Sequence, residues 1–122
     1  MSTTDGSGLA RGLDLFNRAH FFDAHEVLED VWRESVHGKA RRRHLQGLVQ
    51  LAVAFHHESR SNLVGARSVL DRALRNLAGA EDSFPQLDLD ALRAALVPWQ
   101  RHLAGEGPRP AAPAITPRTR AT

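Results

Sequence analysis

The sequence predicts an all-α fold: a compact bundle of about five helices with a central apolar third helix and a disordered C-terminal tail. Apolar side chains recur at the spacing of one helix face through most of the chain. The connections between these periodic segments are short, which favours antiparallel packing of successive helices. The chain has 122 residues, of which 42% are apolar and 25% charged, a balance suited to one domain with a single core.

Local signals bound the helices. Gly38 separates the second helix from the third, and Asn62 and Asp88 are suited to cap the fourth and the fifth. Pro98 falls inside the fifth, where it is expected to kink the helix or divide it. The predicted helices cover residues 9–20, 22–34, 39–59, 63–78 and 89–104.

The segments outside the helical domain, residues 9–104, are expected to be disordered. Residues 1–8 are mostly small and polar. Residues 105–122 hold four of the six prolines among Ala, Thr and Gly. Such a composition offers too little apolar area to offset the entropy of ordering, so a linker or appendage is predicted there.

Charge and composition exclude several functional classes. Without Arg109, Arg118, Arg120 and Glu106 the chain carries 13 basic and 13 acidic residues, so the net charge of +2 belongs to the tail and argues against nucleic acid as a partner. The absence of Cys excludes disulfides, thiolate-bound zinc and a cysteine nucleophile. No apolar run reaches the roughly 20 residues of a membrane span, so no membrane association is expected. Met1–Gly8 does not resemble a secretory signal, so the cytoplasm is the expected location.

The third helix carries a polar stripe on an otherwise apolar surface. Gln46, Gln50 and His57 fall within about 40° of one another on the helical wheel. Buried polar groups need partners, and the second helix offers His25 and Glu29, which are one turn apart and can touch. The candidate site is therefore a polar cluster of His25, Glu26, Glu29, Gln46, Gln50 and His57.

Two separated motifs resemble the family called domain of unknown function 309. The first is Phe22–Trp32 (FDAHEVLEDVW), and the second is Leu45–Ala52 (LQGLVQLA), which continues through His57 to Asn62–Ala66 (NLVGA). The resemblance covers about half of the chain. It implies a compact all-helical fold found mostly in bacteria and archaea, without an assigned activity. One position departs from the family pattern, which usually has Gly before the Asn, where this chain has Ser61.

The polar cluster leaves more than one function open. The leading interpretation is a non-enzymatic interaction or scaffold module, in which the cluster is a buried hydrogen-bond network that fixes the helix register. The alternative is a metal-dependent or acid/base enzyme centred on His25, Glu29 and His57. These side chains suit a divalent metal, the one cofactor class left open, and His25 could serve as a base that Glu29 orients.

A basic run at the start of the third helix offers a third interpretation. Arg41, Arg42 and Arg43 are candidates for phosphate binding, because cations at a helix N-terminus are electrostatically misplaced unless they serve another purpose. The substrate, the partner and the oligomeric state, including a homo-oligomer, remain open at this stage. Whether the protein is an enzyme remains open as well.

Overall fold

Helices make up most of the chain that the computed structural model describes, which is residues 4–36 and 38–119, with side chains described from Ser7 on. The predicted disorder of residues 1–3 and 120–122 lies outside this range. The all-α prediction is confirmed. The helices of the described residues are α1 (Thr4–Asn17), α2 (Phe21–Glu34), α3 (Gly38–Ser59), α4 (Leu63–Asn76) and α5 (Leu89–Leu103), with a 3-10 helix at Ala80–Asp82.

The first helix differs most from its predicted bounds. It begins at Thr4, inside the segment expected to be disordered, and it ends at Asn17 rather than at His20. Contact with α2 accounts for the early start, because a Cβ on Gly8 would lie only 2.8 Å from a methyl carbon of Val31. Tertiary packing at this close approach therefore supports a turn of helix that composition alone does not predict.

Helices α1 and α3 end in the same left-handed turn. Ser61 has a φ of 62° and Ala19 a φ of 63°. After α3, the amide of Asn62 donates to the carbonyl of His57 at 2.8 Å, and the amide of Ser61 donates to that of Glu58 at 2.9 Å. This pair of bonds is a Schellman motif, whose left-handed position is usually glycine. The left-handed backbone is therefore strained for Ser61, whereas a glycine would adopt it without strain.

The fourth and fifth helices begin as predicted. The side chain of Asn62 accepts from the amide of Gly65 at 3.0 Å, and that of Asp88 accepts from the amide of Ala91 at 2.9 Å. Pro98 does not divide α5, which runs unbroken to Leu103. Both Pro98 and the residue one turn before it are exposed, so water can satisfy the carbonyl that proline leaves without a donor.

The third helix is central, as predicted, because it packs against both α2 and α4, while α1 covers α2. An aromatic cluster ties four helices together at its C-terminal half. The ring of Phe55 lies 6.1 Å from Phe16, 5.6 Å from Phe21 and 5.0 Å from Trp99, and the contacts with Phe16 and Trp99 are edge-to-face. In the described part of the chain, no helix combines the length and the apolar character that crossing a membrane requires.

A glycine sets the close approach of α3 and α4. A Cβ on Gly47 would lie 2.8 Å from Cγ of Leu77 and 3.2 Å from the carbonyl oxygen of Ala73. Leu77 and Ala73 are themselves fully buried. The two helices can therefore pack this closely only because no side chain separates them here.

Residues 105–119, called the strap below, have no helix, as their composition predicts, yet they lie against the helical domain. Ile115 is 3% exposed and Pro113 is buried. The side-chain amide of Asn17 bonds both backbone groups of Ile115, at 2.8 and 2.7 Å. The structure thus differs here from the expectation of a disordered appendage starting at Gly105. The reason is that polar groups of the helices bond the strap backbone, while one aliphatic anchor enters the core.

Candidate functional site

The predicted contact within α2 is present. His25 Nε2 lies 3.4 Å from Glu29 Oε2, and both side chains are partly exposed. Glu29 also accepts from Arg33 Nη2 at 2.5 Å. The hydrogen bond from Arg33 is the largest reason why the pKa of Glu29 lies below its usual value, and the nearby His25 lowers it further. Glu26 lies on the same helix and is exposed.

The polar stripe of α3 finds its partners on the α4 side rather than on α2. Gln50 Oε1 accepts from Asn76 Nδ2 at 2.7 Å. His57 Nδ1 lies 3.2 Å from Asn62 Nδ2. Gln46 is exposed. The prediction that buried polar groups would find polar partners therefore holds for Gln50. The polar residues of α2 and α3 do not form one cluster, because Gln50 and His57 contact residues at the two ends of α4.

The three-residue metal set is not assembled. His25 pairs with Glu29, whereas the imidazole of His57 lies against the side chain of Asn62 beyond the end of α3. Among the described residues, no three His, Asp or Glu side chains are grouped so that they could hold a metal ion. The proposed ligand set of His25, Glu29 and His57 thus differs from the geometry found.

An aromatic contact joins α2 and α3 where the predicted polar contact was expected. Phe22 is 50% exposed, and its ring lies 5.8 Å from that of His25 and 5.3 Å from that of His56. Both imidazoles are partly buried. At helical spacing from Phe22, the same side of α2 presents Glu26, Glu29 and Arg33. We call Phe22, Glu26, Glu29 and Arg33 the Phe22 stripe.

The three arginines of α3 diverge to different neighbours. Successive residues of a helix point about 100° apart, so their side chains leave α3 in different directions. Each guanidinium donates to backbone carbonyl oxygens. Arg42 does so at the C-terminal end of α2 and Arg43 at that of α4, where positive charge is favourable. The acceptors are the carbonyls of Ser83 for Arg41 at 2.8 Å, Trp32 for Arg42 at 3.0 Å, and Arg75 and Ala78 for Arg43 at 3.4 and 3.2 Å.

These contacts change the interpretation of the basic run. Arg42 also lies over the ring of Trp32 at 4.4 Å, and Arg41 over that of Phe84 at 5.3 Å. The electrostatic cost of placing cations at the start of α3 is therefore offset by the helix ends and aromatic faces around it. The three side chains do not converge on a common anion position, as the phosphate-binding hypothesis for Arg41, Arg42 and Arg43 requires.

His44 is a buried polar residue that the sequence analysis did not single out. It is 2% exposed, and its Nδ1 lies 2.6 Å from Ser83 Oγ. Burial, followed by the charge of Arg43, lowers the pKa of His44 below its ordinary value. A signal was available, because His44 precedes Leu48 and Leu51 at the spacing of the buried face.

A second unpredicted contact closes the corner between α4 and α5. Arg93 on α5 pairs with both carboxylate oxygens of Glu81 and donates to the carbonyl of Leu77 at 2.7 Å. The hydrogen bonds from Arg93 are the main reason why the pKa of Glu81 falls to about 2. The two residues lie on opposite sides of a loop, so no local pattern in the sequence indicates the pair.

Three surface cavities formed by the described residues lie away from the predicted polar cluster. One of about 430 Å³ lies between α5 and the strap, one of about 320 Å³ between α1 and α2, and one of about 340 Å³ between α1 and the strap. The walls of these three cavities contain none of the six residues of the cluster. The cluster therefore does not line any of these cavities.

Comparison with known proteins places the motifs in a family. The profile of the family described as Domain of unknown function (DUF309) matches residues 9–69, which include both motifs. The chain is 37% identical over 70 residues to Uncharacterized protein YpuF of Bacillus subtilis (strain 168), across 57% of this chain and 40% of that protein. It is 31% identical over 81 residues to an uncharacterized protein of Aquifex aeolicus (strain VF5), across 66% of this chain and 24% of that protein. The match thus spans less than half of either relative.

Proposed function

Because the chain belongs to the DUF309 family, whose description assigns no activity, we propose from its surface that it is a non-enzymatic interaction module and that its binding surface is the Phe22 stripe. The observation that carries this proposal is the half-exposed ring of Phe22. Contacts with His25 and His56 hold the ring in place. A partner would therefore lose little side-chain entropy on binding it.

The charges around Phe22 define the chemistry of the partner. The exposed side of α2 carries Asp23, Glu26, Glu29, Asp30 and Glu34. Arg33 is the one Lys or Arg of this helix, and it pairs with Glu29 and Asp30. The complementary partner is a protein segment that places an apolar side chain on Phe22 and Lys or Arg side chains opposite the acids.

The bonding of the candidate catalytic residues supports an interaction role over the enzymatic alternative. His57 lies against Asn62, and Glu29 is held by Arg33. His57 is thus paired outside the centre proposed for His25, Glu29 and His57, and the carboxylate of Glu29 is shared between Arg33 and His25. The two relatives add support, since the shared region forms different fractions of their lengths, as expected of a module carried by different proteins.

Selection of peptides from a displayed random library tests the proposal. We expect the peptides that bind the full chain to combine an aromatic or aliphatic residue with flanking Lys or Arg. Phe22→Ala should weaken a selected peptide at least tenfold in fluorescence anisotropy, and added salt should weaken its binding to the wild type. The unfolding midpoint of Phe22→Ala should change little, because half of the side chain is already in water.

Val64→Ala is the matched control, because Val64 is an exposed aliphatic residue on α4, 84% exposed, outside the Phe22 stripe. It should leave peptide binding unchanged. The proposal fails if the selected peptides lack basic residues, or if they bind Phe22→Ala as tightly as the wild type.

A further inference from the structure

The strap is held as an extended peptide is held by a receptor. Asn17 Nδ2 donates to the carbonyl of Ile115 at 2.8 Å, and the Ile115 amide donates to Asn17 Oδ1 at 2.7 Å. A carboxamide that bonds both backbone groups of one residue holds an extended backbone whatever the side chain. Specificity comes from the side chain of Ile115, which is 3% exposed.

A second set of contacts holds the N-terminal part of the strap, at Arg109 and Ala111. Trp99 Nε1 donates to the carbonyl of Ala111 at 3.0 Å. Arg109 pairs with both carboxylate oxygens of Glu58, at 2.9 and 3.1 Å, and its guanidinium lies 5.2 Å from the centre of the Trp99 ring. The Glu58 side chain is only 9% exposed, so the pair is partly shielded from water. Arg109 is thus a second point of specificity.

The downstream end pairs with the loop before α5. The amide of Asp88 donates to the carbonyl of Thr116, and the amide of Arg118 donates to the carbonyl of Gln86, both at 2.8 Å. The residues between them, Leu87 and Pro117, form an antiparallel bridge. This is a short form of strand addition, a common way in which proteins bind extended peptides.

From these contacts we propose that the groove beneath the strap is a peptide-binding site that the chain occupies with its own C-terminal segment. The partner that fits in trans is an extended, proline-containing peptide with an aliphatic residue in place of Ile115 and an Arg in place of Arg109. Proline favours the extended conformation before binding, which reduces the entropy lost on docking. The site is separate from the Phe22 stripe, and the proposal does not depend on it.

The tether makes the strap a competitor of such a partner. A short flexible connection gives an attached segment a local concentration on the order of millimolar. A glycine at each end of the connection, Gly105 with a φ of 80° and Gly107, allows the chain to turn away from α5. If the strap itself binds the open groove with an intrinsic Kd of about 10 µM, the closed chain would therefore bind a free peptide about 100-fold more weakly than the open chain does.

The test uses the full chain and a fluorescent peptide of residues 106–119. Ile115→Asp in the chain should release the strap, because a carboxylate does not replace a buried aliphatic anchor. We expect the peptide to bind this variant at least tenfold more tightly than the wild type. A peptide carrying the same substitution is the matched control and should not bind. Adding Asn17→Ala to the Ile115→Asp chain should abolish binding, because the groove then lacks its backbone clamp.

Hydrogen exchange on the wild type provides the second measurement. The amides of Ile115 and Arg118 should exchange through local opening, faster than the amides at the centre of α3. The proposal is overturned if these amides exchange only with global unfolding, if Ile115→Asp unfolds the whole chain, or if the peptide fails to bind the released groove. A wild-type dimer that Asn17→Ala dissociates would support the site and identify the strap of a second copy as its partner.

Discussion

Replacing Ser61 with glycine should stabilise the protein. An L-residue in the left-handed region costs about 1–2 kcal/mol, and Ser61 is there, with a φ of 62°. Glycine removes this cost but loses about 0.5–1 kcal/mol more conformational entropy on folding. The difference between the midpoints of these two ranges is a net gain of about 0.75 kcal/mol. The substitution does not affect the hydrogen bonds of the turn, because the amides of residues 61 and 62 donate to the carbonyls of Glu58 and His57, and all four are backbone groups.

Urea unfolding followed by circular dichroism measures this gain. The midpoint should rise with an unchanged slope, and the melting temperature should rise by about 2–4 °C. Ser68→Gly is the matched control, because Ser68 is exposed in the interior of α4 and has no left-handed conformation to relieve. It should destabilise by about 0.5 kcal/mol, because serine is already a poorer helix former than alanine, against which glycine costs about 1 kcal/mol. The reasoning fails if Ser61→Gly lowers the midpoint, or if the two variants shift it in the same direction.

Three further predictions concern stability. Glu81→Gln should remove about 1 kcal/mol at neutral pH, since the pair with Arg93 is partly exposed and screened. The pKa of Glu81 is lowered from 4.5 to about 2, so the pair stabilises the wild type above pH 4.5 and the stability is lost as pH falls toward 2. Urea midpoints across this range should fall less steeply in the variant. His44→Gln should flatten the dependence of stability on pH below pH 6.5. In the wild type the lowered pKa keeps the buried imidazole neutral, so stability falls as pH falls through this range. An equal slope in both proteins would contradict this. Gly47→Ala should lower the free energy of unfolding by about 1–3 kcal/mol, because its Cβ would collide with Leu77. An unchanged urea midpoint would mean that α3 and α4 can shift apart slightly without cost.

Local features could be predicted from the sequence. The contact of His25 with Glu29 depends on spacing within one helix, and the caps of Asn62 and Asp88 on the residues that immediately follow them. The identity of the central helix also followed from its apolar character. In each of these cases the interacting groups are close in sequence, so helix geometry alone brings them together.

The facing of the helices could not be predicted in the same way. Gln50 was expected to meet α2, but its partner is Asn76 on α4. A wheel diagram gives the direction of a side chain around its own helix but not which neighbour lies in that direction. The strap was missed because its order depends on Asn17, far away in sequence. Composition indicates that the segment cannot order itself, which is a different question from whether a folded surface can order it.

The bond between Asn17 and Ile115 has a consequence for how the molecule reaches its native state. The two residues are 98 positions apart, whereas successive helices join neighbouring stretches of chain. Contacts between distant residues form late, because the intervening loop must first be closed. Refolding should therefore show a fast assembly of the helices followed by docking of the last segment. On the ribosome that segment is made after the helices, so its groove stays vacant until the segment emerges.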